Sequence, residues 1–222
     1  MGRGAGALGA LAAAGVKPVS DERAATMIDV AFALDGNTLP CDHRYALAEA
    51  VEGALPWLAG LPGAGVHHLN LVHGTGREAM LSRRTRLTLR VPRERADDAC
   101  ALAGAELNVA GRRLRAGAAQ RRELLRHGTL YAHFVAADGT DELIFLVAVK
   151  EELSALGVQC RPICGRRQVG EGGLLMGFSL MLDALSPDHS LRVLEAGLGR
   201  HRRLGCGLFV PHRSAAAVGT PS

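Results

Sequence analysis

The sequence contains very little lysine. Only two of its 26 basic residues, Lys17 and Lys150, are lysines, and the others are arginines. Guanidinium groups bind phosphate bidentately, so a formal net charge of +4 built in this way gives a surface suited to phosphate-bearing partners. Alanine, glycine and leucine are abundant as well, so part of the arginine content reflects compositional bias, and many arginines are expected to be ordinary solvated side chains.

The sequence also lacks the cysteine spacing and the apolar runs that define several protein classes. Its cysteines are odd in number and no two have Cys-x-x-Cys spacing, which argues against a disulfide framework and against a zinc site. A reducing, cytoplasmic setting fits this usage best. No apolar run reaches the roughly 18 residues that a membrane-spanning helix requires. The five cysteines are Cys41, Cys100, Cys160, Cys164 and Cys206.

Hydrophobic periodicity predicts the same order of elements twice. The first half has a strand at 27–34, a helix at 43–55, strands at 66–72 and 81–91, a helix at 93–103 and a hairpin at 106–116. The second half has a strand at 130–136, a helix at 141–156, strands at 158–163 and 174–182, a helix at 187–197 and a strand at 208–210. Both halves have the order β-α-β-β-α-β, which predicts an α+β fold of two tandem ferredoxin-like, RRM-like modules.

The module boundaries follow from this order. Residues 1–25 are predicted to form a disordered leader, because the Ala/Gly-rich start lacks the apolar centre of a signal peptide. The first module is predicted to cover residues 26–120 and the second to cover residues 128–218. Residues 121–128 form a basic linker between them.

Two local patterns in the first module predict side-chain roles. Asp42 is expected to cap the helix that follows it. In the strand predicted at 81–91, apolar residues alternate with Arg84, Arg86 and Arg90. One face of this strand is therefore expected to be core and the other to be a ladder of arginines.

A glycine-rich and arginine-rich loop lies at 197–207, directly before an apolar run. Glycine permits positive φ and close approach of a ligand, and successive N–H groups in such loops form anion-binding concavities. The loop is therefore predicted to hold a polyanion. The alternative is an ordinary glycine-rich turn with solvated arginines. The candidate residues are Gly199, Arg200, His201, Arg202, Arg203 and Gly205.

Two further basic clusters extend the predicted binding surface. Three clusters on two modules favour an extended polyanion, such as RNA, over a mononucleotide. Only 4% of the residues are aromatic, so recognition of RNA backbone and helix shape is a better fit than a base-stacking platform. The additional candidates are Arg83, Arg84 and Arg86 in the first module, and Arg166 and Arg167 in the second.

His43 is the histidine best placed for acid–base chemistry. A helix N-terminus disfavours a protonated imidazole, so His43 is expected to be neutral and able to take a proton from a ribose 2′-hydroxyl. The residues alone leave open that His43 is an ordinary surface residue. His67, His68 and His73 form a possible metal-binding group, but solvated histidines are the better interpretation, and His133 is interpreted as a structural residue of its strand.

Several motifs of the chain resemble those of a known family. The family is that of the CRISPR-associated endoribonucleases that cut precursor CRISPR RNA, the Cas6 family of the RAMP superfamily, and in particular its MYXAN subtype. The resemblance covers residues 27 to 218. The motifs are 32–40 (FALDGNTLP), 42–47 (DHRYAL), 82–87 (SRRTRL), 130–134 (LYAHF), 164–168 (CGRRQ) and the loop at 197–212 (GLGRHRRLGCGLFVPH).

The resemblance implies a fold of two ferredoxin-like modules and a metal-independent cleavage in which the 2′-hydroxyl attacks the adjacent phosphate. It implies that a histidine at the first helix, here His43, is catalytic, and that no metal or organic cofactor is needed. Other members often use tyrosine or lysine partners. No lysine is near, so Arg83 or Arg84 is a candidate for stabilising the phosphate, and the second catalytic residue stays open. The implied partners are CRISPR repeat RNA and the other subunits of a Cascade-type effector complex, in defence or in a transposon-associated system.

Two other functions remain as alternatives. The first is a guide-RNA-holding subunit without catalysis, in which His43 is incidental. The second is a metabolite-binding pair of ferredoxin-like domains, which predicts a small-molecule pocket between the modules.

Overall fold

The first half of the chain builds a five-stranded antiparallel sheet around strand β1. The computed structural model describes residues 23–74 and 76–213. The sheet has the order β3-β6-β1-β8-β7. Its strands are β1 (Met27–Asp35), β3 (Gly65–Val66), β6 (Arg86–Pro92), β7 (Glu106–Val109) and β8 (Arg112–Arg122).

Two helices of this half, α1 (Arg44–Ala54) and α2 (Ala96–Cys100), supply one side of its core. Leu47 and Val51 of α1 and Ala99 of α2 join Phe32 and Leu87 of the sheet in one buried cluster. Leu47 and Val51 are four residues apart, so they lie on one face of α1, and that face packs in the core. Three short strands, β2 (Thr38–Pro40), β4 (Val72–His73) and β5 (Glu78–Met80), form a separate small sheet in the order β2-β5-β4.

The second half repeats the arrangement with four strands. Its antiparallel sheet has the order β10-β11-β9-β12. Helices α3 and α4 bury Phe145, Val149 and Leu191 in its core. The elements are β9 (Leu130–Ala136), α3 (Glu142–Ala155), β10 (Arg161–Gly170), β11 (Leu175–Asp183), α4 (Pro187–Ala196) and β12 (Val210–Pro211).

Each module contributes the four strands of a β-α-β-β-α-β unit. Read across either sheet, these are the second, third, first and fourth strands of the unit in chain order, and β7 is added at the edge of the first sheet. The prediction of two tandem ferredoxin-like modules is therefore confirmed. The predicted leader lies almost wholly outside the described residues, as does the end of the predicted second module. Among the helices of the described ranges, none has the length and apolar character needed to cross a membrane.

Several predicted boundaries were wrong. The strand predicted at 66–72 is two short strands in different sheets, β3 and β4. The strand predicted at 81–91 begins only at Arg86, because residues 82–85 form a turn that Thr85 N closes by donating to Ser82 O at 2.9 Å. The helix predicted at 93–103 is a short 3₁₀ turn followed by the five residues of α2.

In the second half, the strand predicted at 158–163 begins and ends later, as β10 (Arg161–Gly170). Arg166 and Arg167 thus lie within the edge strand of the second sheet rather than beyond the end of a strand. In the first half, β8 continues to Arg122, so the first residues of the predicted linker belong to a strand.

Arg90 does not join an exposed ladder of arginines. Its side chain lies on the predicted face of β6, but the second module covers that face, and Arg90 is only 1% exposed. Its guanidinium donates to both carboxylate oxygens of Asp29, at 2.8 and 2.9 Å. It also donates to the carbonyl oxygens of Leu194 and Phe209, at 2.8 and 3.0 Å. Arg90 therefore forms a buried ion pair within the first module and ties the two modules together through its hydrogen bonds to Leu194 O and Phe209 O.

Candidate active site and basic cleft

A cleft of about 390 Å³ lies between the two modules. Its walls combine guanidinium groups from the first module with two ring side chains from β9 of the second. Since arginine binds phosphate bidentately, the cleft suits a polyanion. The residues that carry this chemistry are Arg84, Arg86, Arg122, His67, His68, Tyr131 and His133, and Gly205 completes one side.

His43 is a buried residue at the N-terminus of α1, with 4% of its surface exposed. Its Nδ1 lies 2.9 Å from Pro40 O and 3.0 Å from Cys41 O. Carbonyl oxygens only accept hydrogen bonds, so Nδ1 carries the hydrogen and Nε2 keeps its lone pair. Burial lowers the pKa of His43, which keeps the ring neutral at pH 7. The interpretation of His43 as an ordinary surface residue was therefore wrong.

The predicted cap of α1 is also different. Asp42 does not cap the helix, and no side chain of the N-cap residue does so. Instead Glu171 of the second module accepts a hydrogen bond from Arg44 N through Oε1 at 2.8 Å. The carboxylate of Asp42 in turn accepts from Glu171 N at 2.8 Å. The helix end that positions His43 is therefore completed by a residue from the other module.

Arg44 links α1 to the rest of the site. It donates through Nη1 to Leu204 O at 2.7 Å, and its Nη2 lies 3.2 Å from Nδ1 of His68. Its guanidinium also lies over the Phe134 ring, 5.2 Å from the centroid. Sequence reasoning missed this residue and named Arg83 or Arg84 as the candidate for stabilising the phosphate. Its position beside His43 in the helix was the one available signal.

His68 and His133 meet across the boundary between the modules. Their rings are stacked, with centroids 4.1 Å apart and planes at 13°. Burial, together with the nearby cation of Arg44, lowers the pKa of both, to about 3 for His68. His133 is exposed in the cleft, so the interpretation of this residue as a structural part of its strand missed its position.

His67 lies beside the carboxylate that holds Arg90. Its Nε2 is 3.3 Å from Asp29 Oδ1. Burial alone would raise the pKa of Asp29, but the charges and hydrogen bonds of His67 and Arg90 lower it well below its usual range. His67 and His68 thus have specific partners and are not simply solvated. In the ranges that the structure describes, no group of three or more His, Cys, Asp or Glu residues is arranged to hold a metal ion.

The glycine-rich loop follows α4 and packs against the first module. Several of its amides already donate hydrogen bonds within the fold: Gly205 N to Arg202 O in the loop itself, Gly199 N to Glu152 Oε2 of α3 and Gly207 N to Phe134 O of β9. Gly205 has φ of 75°, and a Cβ there would lie 3.0 Å from His68 N and 3.1 Å from Val66 O. Only glycine fits this close approach between the modules.

The charged side chains of the glycine-rich loop lie outside the cleft and have different neighbours. Arg200 forms an ion pair with Asp138, and Arg203 forms one with Glu52 at 3.0 Å. Arg202 is partly buried, which lowers its pKa, and its Nε has no hydrogen-bond partner in the described residues. Arg200, His201, Arg202 and Arg203 line a separate depression of about 310 Å³.

The structure therefore divides the predicted RNA-binding residues into groups. Arg84, Arg86 and Gly205 lie together in the cleft, and the loop side chains lie around the neighbouring depression. Arg83 is an exposed turn residue whose carbonyl accepts from Arg86 Nη1 at 2.8 Å. Arg166 and Arg167 are exposed on the edge strand β10 and line neither depression. Arg122, Arg44 and Tyr131 are site residues that sequence reasoning did not name.

Comparison with solved structures shows which proteins share this fold. Two solved structures share the tandem ferredoxin-like fold. A CRISPR-associated protein Cas6 superposes with a TM-score of 0.60 at 11% identity, covering 84% of this chain and 100% of that one. A Cas6-related protein from Pyrococcus furiosus superposes with a TM-score of 0.55 at 12% identity, covering 82% and 97%. The chain therefore shares its fold with these two proteins.

Sequence comparison identifies the family. The Cas6 family, described as Cas6 Crispr, matches residues 28–214. A CRISPR-associated endonuclease Cas6 from Myxococcus xanthus (strain DK1622) is 39% identical over 194 residues, which cover 86% of this chain and 84% of that protein. The chain belongs to the Cas6 family.

Proposed function

We propose that this protein is a metal-independent endoribonuclease that binds the CRISPR repeat hairpin and cleaves precursor CRISPR RNA. The relative from Myxococcus xanthus is named an endonuclease, which supports the reaction class. The observation that carries the proposal is the tautomer of His43. Its Nδ1–H is held by the carbonyl oxygen of Pro40, and its Nε2 is the unprotonated nitrogen that a general base needs.

In the proposed reaction, His43 Nε2 accepts the proton of a ribose 2′-hydroxyl. The 2′-oxygen then attacks the adjacent phosphorus, and the bond to the 5′-oxygen of the next nucleotide breaks. The products are a cyclic phosphate and a 5′-hydroxyl. A small pocket with His43 in its wall adjoins the cleft, because His67 and His68 line both. The scissile phosphate is expected to enter from the cleft.

The cleft supplies the binding surface in this proposal. Arg84, Arg86 and Arg122 hold the RNA backbone there, and the loop side chains Arg200 to Arg203 continue the contact along the neighbouring depression. Arg166 and Arg167 have no side-chain hydrogen bond within the described ranges and extend the track along β10. We further propose that the two domains are the modules predicted at residues 26–120 and 128–218, with the first continuing to the end of β8 at Arg122. The mature guide stays bound, with the protein acting as a subunit of a Cascade-type complex.

The test is cleavage of a labelled repeat RNA in EDTA. The wild type is compared with His43→Asn, which keeps a donor toward Pro40 O but has no basic nitrogen. His189→Ala, a histidine of α4 outside both pockets, is the matched control. The proposal expects cleavage by the wild type and the control, and binding without cleavage by His43→Asn. Equal cleavage by all three contradicts the role of His43. Binding without cleavage by all three identifies a guide-RNA-holding subunit instead.

A further inference from the structure

The proposed reaction needs a proton donor for the departing 5′-oxygen. The cleft contains an imidazole, that of His133, to which the proposed function gives no role. His133 lies on β9, on the strand face that turns toward the first module. Its ring is exposed in the cleft beside Tyr131, and its nitrogens make no hydrogen bond within the described residues. A side chain that is held in place by stacking alone keeps both nitrogens available for a ligand.

The stacking partner fixes the ring of His133. A guanidinium stays protonated in proteins and only donates hydrogen bonds, so the contact from Arg44 Nη2 makes His68 Nδ1 an acceptor. His68 is therefore the neutral Nε2–H tautomer, and its own low pKa keeps it neutral at pH 7. His68 is a rigid, uncharged platform for the ring of His133, 4.1 Å away.

We propose that His133 is the second catalytic residue, the general acid that protonates the leaving 5′-oxygen. This inference rests on the proposed function. As the bond between the 2′-oxygen and phosphorus forms, the bond between phosphorus and the 5′-oxygen breaks. The 2′-hydroxyl proton goes to His43 Nε2, and the proton of the His133 imidazolium goes to the 5′-oxygen. Exchange with water restores both histidines.

An in-line displacement needs the base and the acid on different sides of phosphorus, which two residues from different modules can supply. His43 comes from α1 of the first module, and His133 comes from β9 of the second. His68 lies within electrostatic range of both. The third imidazole of the cleft, that of His67, has its Nε2 against Asp29.

The charged and titratable groups around His133 define when it holds a proton. In the free protein, burial and the cation of Arg44 lower its pKa. Arg84, Arg86, His68 and Tyr131 complete the surroundings of the ring in the cleft. A bound phosphodiester brings a negative charge beside it and raises the pKa again, so His133 gains its proton when the substrate binds.

The test compares an ordinary repeat RNA with one that has sulfur in place of the 5′-bridging oxygen at the mapped cut position. A thiolate leaves without protonation, so the sulfur substrate needs no general acid. We expect His133→Phe, which keeps a ring on His68, to lose about 10²- to 10⁴-fold in single-turnover rate on ordinary RNA. On the sulfur substrate this variant should cleave within a few-fold of the wild type. His43→Asn should stay slow on both substrates.

Two controls separate catalysis from structure. His133→Ala should show the same substrate dependence as His133→Phe if the proton matters, and RNA binding by both should match the wild type within a few-fold. Equal losses on the two substrates, or no loss on ordinary RNA, overturn the role of His133 and leave the proposed function standing. Failure of the wild type to cut either substrate overturns the proposed function itself.

Discussion

Replacement of Arg90 by methionine should destabilise the protein far more than replacement of a surface arginine. The guanidinium is 1% exposed and donates to Asp29 and to two carbonyl oxygens of the second module. Methionine keeps much of the side-chain volume but leaves the carboxylate of Asp29 and both carbonyl oxygens without this donor. Removal of one partner of a buried ion pair typically costs about 3–5 kcal/mol.

The expected loss is therefore about 3–5 kcal/mol in the free energy of unfolding. For a chain of this size it corresponds to a fall in Tm of about 6–20 °C. Arg112→Met is the matched control, because Arg112 of β8 pairs with Glu78 of β5 at 2.7 Å and their side chains are 49% and 36% exposed. Surface pairs contribute about 0–1 kcal/mol, so this control should unfold close to the wild type.

The free energy of unfolding of both variants is measured by urea unfolding. Two signals are monitored: circular dichroism and the fluorescence of Trp57, the one tryptophan in the sequence. The fluorescence reports the first module, which contains Trp57, and circular dichroism reports both modules. Loss of the tie between the modules should shift both signals. A loss below about 1 kcal/mol for Arg90→Met, equal to that of Arg112→Met, would refute the claim that the buried guanidinium of Arg90 holds the modules together.

The same ion pair predicts an acid dependence of stability. The folded protein lowers the pKa of Asp29 below its ordinary value of 3.8. A lowered pKa adds stability that is present above the ordinary value and is lost as the pH falls below it. Asp29→Asn should therefore show a flatter decline in Tm than the wild type as the pH falls from 5 toward 2. Parallel declines would contradict the assignment.

Three further outcomes follow from the site. Gly205→Val should lower the free energy of unfolding by about 1–3 kcal/mol, because it adds crowding against His68 N to the strain of positive φ. Gly76→Val, at φ of 67° with open space around it, measures the strain alone, and equal losses would contradict the crowding. Arg86→Ala should weaken RNA binding and reduce the magnitude of the slope of log K against log salt concentration by about 1. Filter binding over a salt series measures this slope, and an unchanged slope argues against a phosphate contact. Because burial lowers the pKa of His43 below its ordinary value of 6.5, the limb of the pH–rate profile that requires an unprotonated base should have its midpoint below pH 6.5, and a midpoint above that value removes His43 as the base.

Local sequence patterns were sufficient to predict the type and the bounds of an element where that element has strong hydrophobic periodicity and clear end signals. The helix predicted at 141–156 matches α3, since Asp141 caps it and Phe145, Val149 and Leu153 share one buried face. The strand predicted at 130–136 matches β9 at both ends. Such elements depend on neighbours within a few residues, and their order along the chain was enough to predict two ferredoxin-like modules.

The short elements depended on contacts that the local pattern does not contain. Residues 66–72 are apolar enough for one strand, but Val66 pairs with β6 while Val72 pairs with β5 of the small sheet. The partner strands, which lie elsewhere in the chain, determine where each of these short strands begins and ends.

The sequence by itself determined the two modules, the face of β6 that carries Arg90, and the placement of His43 at a helix start. Only the docking of the modules decided the burial of these residues and the partners that they contact. It buries Arg90 rather than exposing it, brings Glu171 to the N-terminus of α1, and stacks His133 on His68. These contacts join residues more than 60 positions apart, and no local periodicity encodes which surfaces of two modules will meet.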